Sequence, residues 1–167
     1  MSEWQSYIDQ IVNKMDYNTN EFTVTGICDE AAIYGHDGSA WAWSPGFPEL
    51  KVSSFTVEGM TAADTKTHQV DEIQCALKAA DGNRNPSEAG IILGGEKYMF
   101  TSNNDGLTQL SRRGGGGASL MKTNTALVIA FWKKDKPFTG GKNGVQNAGD
   151  CAMQVEAMAK YLIGLQY

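Results

Sequence analysis

Apolar residues recur at helical spacing near both ends of the chain, and the stretch between them reads mostly as hairpins. Trp4, Ile8, Ile11 and Val12 repeat at intervals that place them on one helical face, with Tyr7 beside them. Ser2 followed by Gln5 has the spacing of a capping box. These positions predict an N-terminal helix to about Met15. Near the other end, Cys151, Val155, Met158 and Leu162 form one stripe in a segment rich in Ala, Met and Leu, which predicts a closing helix over 149–165. Tyr161 lies about 100° around from Leu162, so it reaches a second surface, and Tyr167 follows just beyond. A middle helix is predicted from Val70, Ile73, Ala76, Leu77 and Ala80, stopped by Asp81-Gly82.

The remaining patterns are strand-like. Residues 18–20 break the first helical repeat, and 22–28 alternate loosely, as a loop or a short edge strand. In AAIYGHDGSAWAWS, Asp37-Gly38 separates two strand-like runs and tolerates the positive φ angles of a tight hairpin. Trp41 and Trp43 are two apart, so a regular strand presents both on one face as a single aromatic surface. Residues 51–69 are rich in Ser, Thr, Asp and Gly and contain one alternating piece, 52–57; they read as an insertion carrying an extra hairpin arm within a single domain of residues 1–167. Further hairpins are predicted for 91–93 with 98–101 across GGEK, and for 118–122 with 125–132 across Thr123-Asn124, with a turn at 103–106. Helices at both ends of a run of hairpins define an α+β fold with a central antiparallel sheet.

Composition narrows the function. The 167 residues carry a formal net charge of −5, which argues against nucleic-acid coating and leaves room only for a local basic patch. The longest apolar run, 126–132, is far shorter than the roughly 20 residues that cross a bilayer. The opening residues lack the basic flank and apolar stretch of a secretory signal. Three cysteines without C-x-x-C spacing, and two histidines far from them, fit neither a disulfide framework nor a zinc site, so a reducing cytosol is the expected home. GGKNG lacks the earlier glycine of a phosphate loop, because Lys136 stands in its place, and no serine sits in a nucleophile elbow. SRRGGGG has two readings: a mobile hairpin loop, or a site where Arg112 and Arg113 offer planar donors to carboxylates or phosphates while the glycines admit close approach.

The aromatic residues suggest more. Trp4 and Tyr7 sit on the first helix, Trp41 on a hairpin, and Tyr161 and Tyr167 near the last residue. A polyproline II ligand exposes unbonded carbonyls and is well held by flat rings bearing N–H or O–H donors. A groove removing ~300 Å² of apolar area would gain about 7 kcal/mol before association costs of at least about 4, giving micromolar or weaker affinity.

Several segments together resemble the profilin family: the opening S-E-W-Q-S-Y-I-D, the stretch GHDGSAWAWSPGFPELK, GGEKYM, the Lys-Thr pair after Met121, ALVIAF and YLIGLQY. The resemblance covers nearly the whole chain apart from 13–29 and 51–69. It implies a central antiparallel sheet flanked by helices, with the N- and C-terminal helices adjacent. It also implies polyproline binding by Trp4, Tyr7, Trp41, Tyr161 and Tyr167, with Leu162 beside them. Trp43 matches no family position; its spacing from Trp41 makes it either widen the groove or pack beneath it. The same resemblance implies binding of monomeric actin through Lys97, Arg112, Arg113, Lys122 and Gly149, and of phosphoinositides through Arg112 and Arg113. Ala152, Met153 and Ser102 depart from polar or basic positions of the family, which implies weaker rather than absent actin binding. The expected protein is a cytoplasmic, cytoskeletal, monomeric adaptor between actin and proline-rich partners such as formins, with no cofactor, no nucleic-acid partner and no enzymatic activity. The alternatives are a proline-peptide module with weak or lost actin binding, and a small ligand-sensing or enzymatic domain that uses the glycine loop for phosphate.

Overall fold

The computed structural model describes residues 3–16, 19, 21–139 and 144–167. Ser2 of the expected capping box, Asn18 and Asn20 of the expected break, and the first four residues of GGKNG lie outside these. Among the described residues, seven antiparallel strands form the main sheet: β3 (Glu30–Gly35), β4 (Ala40–Trp43), β7 (Ile91–Leu93), β8 (Glu96–Asn104), β9 (Leu107–Arg112), β10 (Gly117–Lys122) and β11 (Ala126–Trp132), in the order β4-β3-β11-β10-β9-β8-β7. Two ribbons lie outside it: β1 (Lys14–Asp16) with β2 (Glu21–Thr23), and β5 (Val52–Val57) with β6 (Lys66–Asp71). Helices α1 (Glu3–Val12) and α3 (Ala148–Gly164) cover one face of the sheet, and α2 (Glu72–Ala80) covers the other. Among the described residues, no helix is long and apolar enough to cross a membrane.

Strand β11 shows why its sequence is apolar throughout. Leu127, Ile129 and Phe131 pack toward α2, while Ala126, Val128 and Ala130 pack toward α1 and α3. A strand buried on both faces needs no polar alternate. The small side chains on the second face, with Ala31, Ala42 and Ala159, let two helices lie close to the sheet. Cys28, Cys75 and Cys151 are buried free thiols, as their place among apolar neighbours predicts. The Cys28 thiol is pushed well up by its hydrogen bond with Cys151 and by burial.

Several boundaries differ from expectation. α1 ends at Val12, not at Met15, because Asn13 leaves the helix: its amide donates to Asp9 O at 3.0 Å, and its Oδ1 accepts from the backbone of Thr25 and Gly26, each at 3.0 Å. Val70 belongs to β6 rather than to α2, since Asp71 is the N-cap and accepts from Gln74 N at 3.2 Å. β8 runs on to Asn104, so the turn shortens to Asp105-Gly106, both at positive φ (51° and 86°). The strand after it, β9 (LTQLSR), has polar residues at four of its six positions, the buried Thr108 among them, and so does not announce itself in the sequence.

Glu72 is a carboxylate with only 1% of its surface exposed. It accepts from Lys51 N at 3.1 Å, Ser53 Oγ at 3.1 Å and Gly95 N at 2.8 Å. It thereby fastens the β5–β6 ribbon and the β7–β8 turn to the start of α2. Glu72→Ala strands these donors, and an unsatisfied buried group costs roughly 1–3 kcal/mol. Urea unfolding of that variant is expected to show a loss of about 3 kcal/mol, with faster amide exchange confined to the ribbon and the adjoining turn. Unchanged stability would contradict this role.

Candidate functional site

The aromatic residues of the two ends converge on one side of the α1/α3 layer. Tyr7, Ile8 and Ile11 of α1, and Cys151, Val155, Met158 and Leu162 of α3, are buried against the sheet. That packing leaves Trp4 at the rim of α1. Its ring centroid lies 4.7 Å from that of Trp41, 4.9 Å from Tyr167 and 5.5 Å from Tyr7. Tyr7 and Tyr161 are 5.6 Å apart at 75°, and Trp41 and Tyr167 are 6.4 Å apart at 71°. Edge-to-face contacts of this kind hold each ring without hiding its neighbour's face. Tyr161 and Tyr167 are exposed at 43% and 39%, and Trp4 and Trp41 are half-buried, so the cluster is an open trough.

Local chemistry sets each ring. The Tyr7 hydroxyl donates to Glu3 Oε1 at 2.6 Å. Burial foremost, then this bond to a carboxylate, pushes its phenol well above the ordinary tyrosine range. Trp41 Nε1 donates to Ser39 Oγ at 3.3 Å, and Ser39 Oγ donates to Asp37 Oδ1 at 2.6 Å, so the hairpin turn itself orients the indole. The Ser39 hydroxyl and amide hold the Asp37 carboxyl below its usual value. Gly35 leaves space for this relay, since an added Cβ would sit 2.6 Å from Asp37 Oδ1 and 2.9 Å from Trp41 Nε1.

Tyr167 is placed by the end of α3. Gln166 takes a left-handed φ of 70°, its N–H bonds Ile163 O at 2.9 Å, and Tyr167 N–H bonds Leu162 O at 3.0 Å. This pair of bonds is the Schellman ending, here without the usual glycine. Tyr167 O then accepts from Asn124 N at 3.0 Å, tying the segment to the β10–β11 turn.

Two expectations need correction. Leu162 has no exposed surface, so it supports the trough from beneath and offers nothing to a ligand directly. Trp43 neither widens the trough nor packs beneath it. The β3–β4 ladder pairs Ala32 with Trp43 and Ile33 with Ala42, but Tyr34 with Ala40, leaving Trp41 as an extra residue in a bulge. A bulge breaks the alternation of side chains, so Trp41 joins Ala42 on the α1/α3 face while Trp43 lines a hollow with Tyr34 and Phe47 on the other.

The basic candidates line different hollows. Lys97 and Arg113 line a common hollow with Phe55 and Val57 of the ribbon. Arg112 lines a different one with Asp29, Glu30, Tyr98 and Lys133, and its Nε donates to Gly115 O at 3.1 Å. Burial raises the Tyr98 phenol of that hollow to about 12. Lys122 pairs with Asp81 after α2 at 3.2 Å, and Gly149 lies exposed in the first turn of α3. Sequence reasoning missed the positioning roles of Ser39 and Gln166, which lie inside recognised stretches without any local sign of what they hold, and nothing in AWAW marks a bulge.

An antiparallel sheet between paired terminal helices and a separate third helix, with a ring trough where the ends meet, defines a small α+β binding domain. A family model described as Profilin matches residues 2–167, and the chain belongs to the profilin family. It is similar to Acanthamoeba castellanii profilin IA, at 25% identity over 99% of this chain and 100% of that one, with a TM-score of 0.60. Mouse profilin IIa, solved in complex with a double repeat from the FH1 domain of mDia1, matches at 19% identity over 99% and 100%, with a TM-score of 0.59. LokiProfilin2, solved in complex with rabbit actin, matches at 18% identity over 99% of each chain, with a TM-score of 0.56.

Two measurements check the trough's construction. Gln166→Gly relieves a left-handed residue and is expected to raise stability by about 1 kcal/mol; a loss would show that the Gln166 side chain carries the ending. Tyr7 ionises in the unfolded chain near pH 10 and later in the folded one, so above that pH the unfolded state holds fewer protons and stability falls. Denaturation midpoints at pH 8, 10 and 11 are expected to decline across the last interval more in the native sequence than in Tyr7→Phe.

Proposed function

We propose that this chain, a single profilin-like domain with an insertion at 51–69, binds monomeric actin on one surface and proline-rich segments on another. In doing so it regulates actin filament assembly in the cytoplasm, as a monomer and without catalysis. The observation that carries the proline half is the open trough of Trp4, Trp41, Tyr161 and Tyr167, with the Tyr7 edge between them. Flat, mutually braced rings suit a ligand that keeps its own stiff helix and pays little entropy on docking. The mouse relative bound to FH1 repeats supports proline-rich partners, formins among them.

The actin half is supported by family membership and by the relative solved with rabbit actin. Its candidate contacts are Lys97, Arg112, Arg113, Lys122 and Gly149. Ala152 is buried, Met153 is 70% exposed, and Lys122 is already paired with Asp81. These features favour weakened actin binding, so a proline-peptide module with little actin affinity is the second reading. Phosphoinositide binding by Arg112 and Arg113 is proposed as weak and salt-sensitive, because the two line separate hollows on a chain of net charge −5.

Trp4→Ala is expected to lower affinity for a proline-rich peptide at least about tenfold, as removal of a central aromatic anchor does, while leaving actin binding in place. Lys97→Glu with Arg113→Glu is expected to do the reverse. Fluorescence titration with the peptide and co-sedimentation with monomeric actin read the two. A Trp4→Ala protein that keeps full peptide affinity would sink the proline half; native protein that leaves actin entirely free would leave the second reading.

A further inference from the structure

The bulge that turns Trp41 toward the helices turns Trp43 away from them, where 52% of its surface is exposed. Trp43 stands at a hollow of about 270 Å³ that it lines with Tyr34, Ala40, Phe47 and Glu49. Two of these rings are nearly buried and fixed. Phe47 stacks on Phe131 at 5.2 Å and 27°, and the Tyr34 hydroxyl accepts from Leu50 N at 3.3 Å. Their centroids lie 6.2 Å apart at 50°, and both rings line the hollow.

The loop that carries Phe47 and Glu49 is equally set. Phe47 N bonds Ser44 O at 3.0 Å across Pro45-Gly46, and the Ser44 hydroxyl bonds both Ala31 and the Glu30 carboxylate. A Cβ on Gly46 would strike that carboxylate, so the turn admits glycine alone without rearrangement. The Tyr34 and Phe47 walls of the hollow are therefore set before any ligand arrives.

Three rings and one carboxylate around a single small hollow have the chemistry of a cation receptor. Ring faces carry negative potential, Glu49 adds a full charge, and a chain of net charge −5 favours cations further. A primary ammonium is strongly hydrated and wants hydrogen-bond acceptors. A methylated ammonium spreads its charge over apolar groups and fits aromatic walls. We infer that the hollow formed by Trp43, Tyr34, Phe47 and Glu49 binds a quaternary or fully methylated ammonium group. A phosphate close to that group would meet the Glu49 charge, so the occupant is a phosphate-free cation. The site is separate from the trough of Trp4 and Trp41 and does not rest on the proposed function.

The test is titration of the full, isotope-labelled chain with choline chloride at constant ionic strength, following the Trp43 indole N–H. Its neutral isostere, 3,3-dimethylbutanol, is run beside it, with a trimethyllysine peptide and the same peptide unmethylated. Choline is expected to move the Trp43 signal saturably, the isostere to bind at least about fivefold more weakly, and the trimethyllysine peptide to outbind its unmethylated form. Trp43→Ala, followed at the backbone amides of Phe47 and Glu49, is expected to abolish saturation, and Glu49→Gln, followed at the Trp43 indole, to weaken it about three- to tenfold, both with the spectrum outside the hollow unchanged. A peptide that binds more tightly than choline identifies a methylated lysine as the source; one that binds no better identifies a free small cation. No saturable Trp43 shift with either cation, or equal binding of the neutral isostere, overturns the inference.

Discussion

The architecture depends on how α1 is fastened to α3. The last carbonyls of a helix lack partners within it, and here a side chain from another helix supplies them. Gln154 Nε2 of α3 lies 3.0 Å from Gln10 O, 3.0 Å from Ile11 O and 2.6 Å from Asn13 O. Asn13, where α1 stops, in turn accepts from Thr25 and Gly26, and Gln146 just before α3 donates to Gly26 O at 2.8 Å. The end of one helix, the segment after it and the approach to the other are thus joined by amide side chains, above a layer of Ile8, Ile11, Val155, Met158 and Leu162. Apolar packing brings the helices together; the Gln154 bonds select the register that sets Trp4 beside Tyr167.

Given that register, the hairpin decides what the trough contains. A single extra residue in β4 assigns one indole to each face of the sheet. Trp41 completes the ring cluster, and Trp43 faces Tyr34 and Phe47 instead. The stacked series Phe47, Phe131 and Tyr98 runs beneath that second face and joins it to the hollow lined by Arg112. One bulge therefore separates two aromatic environments of different character, the first open and rimmed by hydroxyls, the second a small hollow with an acid at its edge.

The helical repeats, the Asp37-Gly38 hairpin and the pairing of 118–122 with 125–132 were legible because each rests on periodicity or turn chemistry within a short window. The convergence of Trp4, Trp41 and Tyr167 was legible only through resemblance, since no local pattern brings chain ends together. The end of α1 and the phase of Trp43 were not legible, whereas the burial of Leu162 was implied by its place in the stripe of Cys151, Val155 and Met158. The first two depend on the Asn13 bonds and on a bulge without glycine, both set by partners far away in sequence. The basic residues were candidates through resemblance, and their division between hollows follows from strand ends and a ribbon that the sequence pattern did not orient.

The chain's four tryptophans supply the most direct test of the central claim, that the joined helices build a trough for proline-rich ligands. In the native protein, a saturating proline-rich peptide should shift the indole N–H signals of Trp4 and Trp41 and leave those of Trp43 and Trp132 in place. Movement of Trp43 or Trp132 with Trp4 unchanged would contradict it.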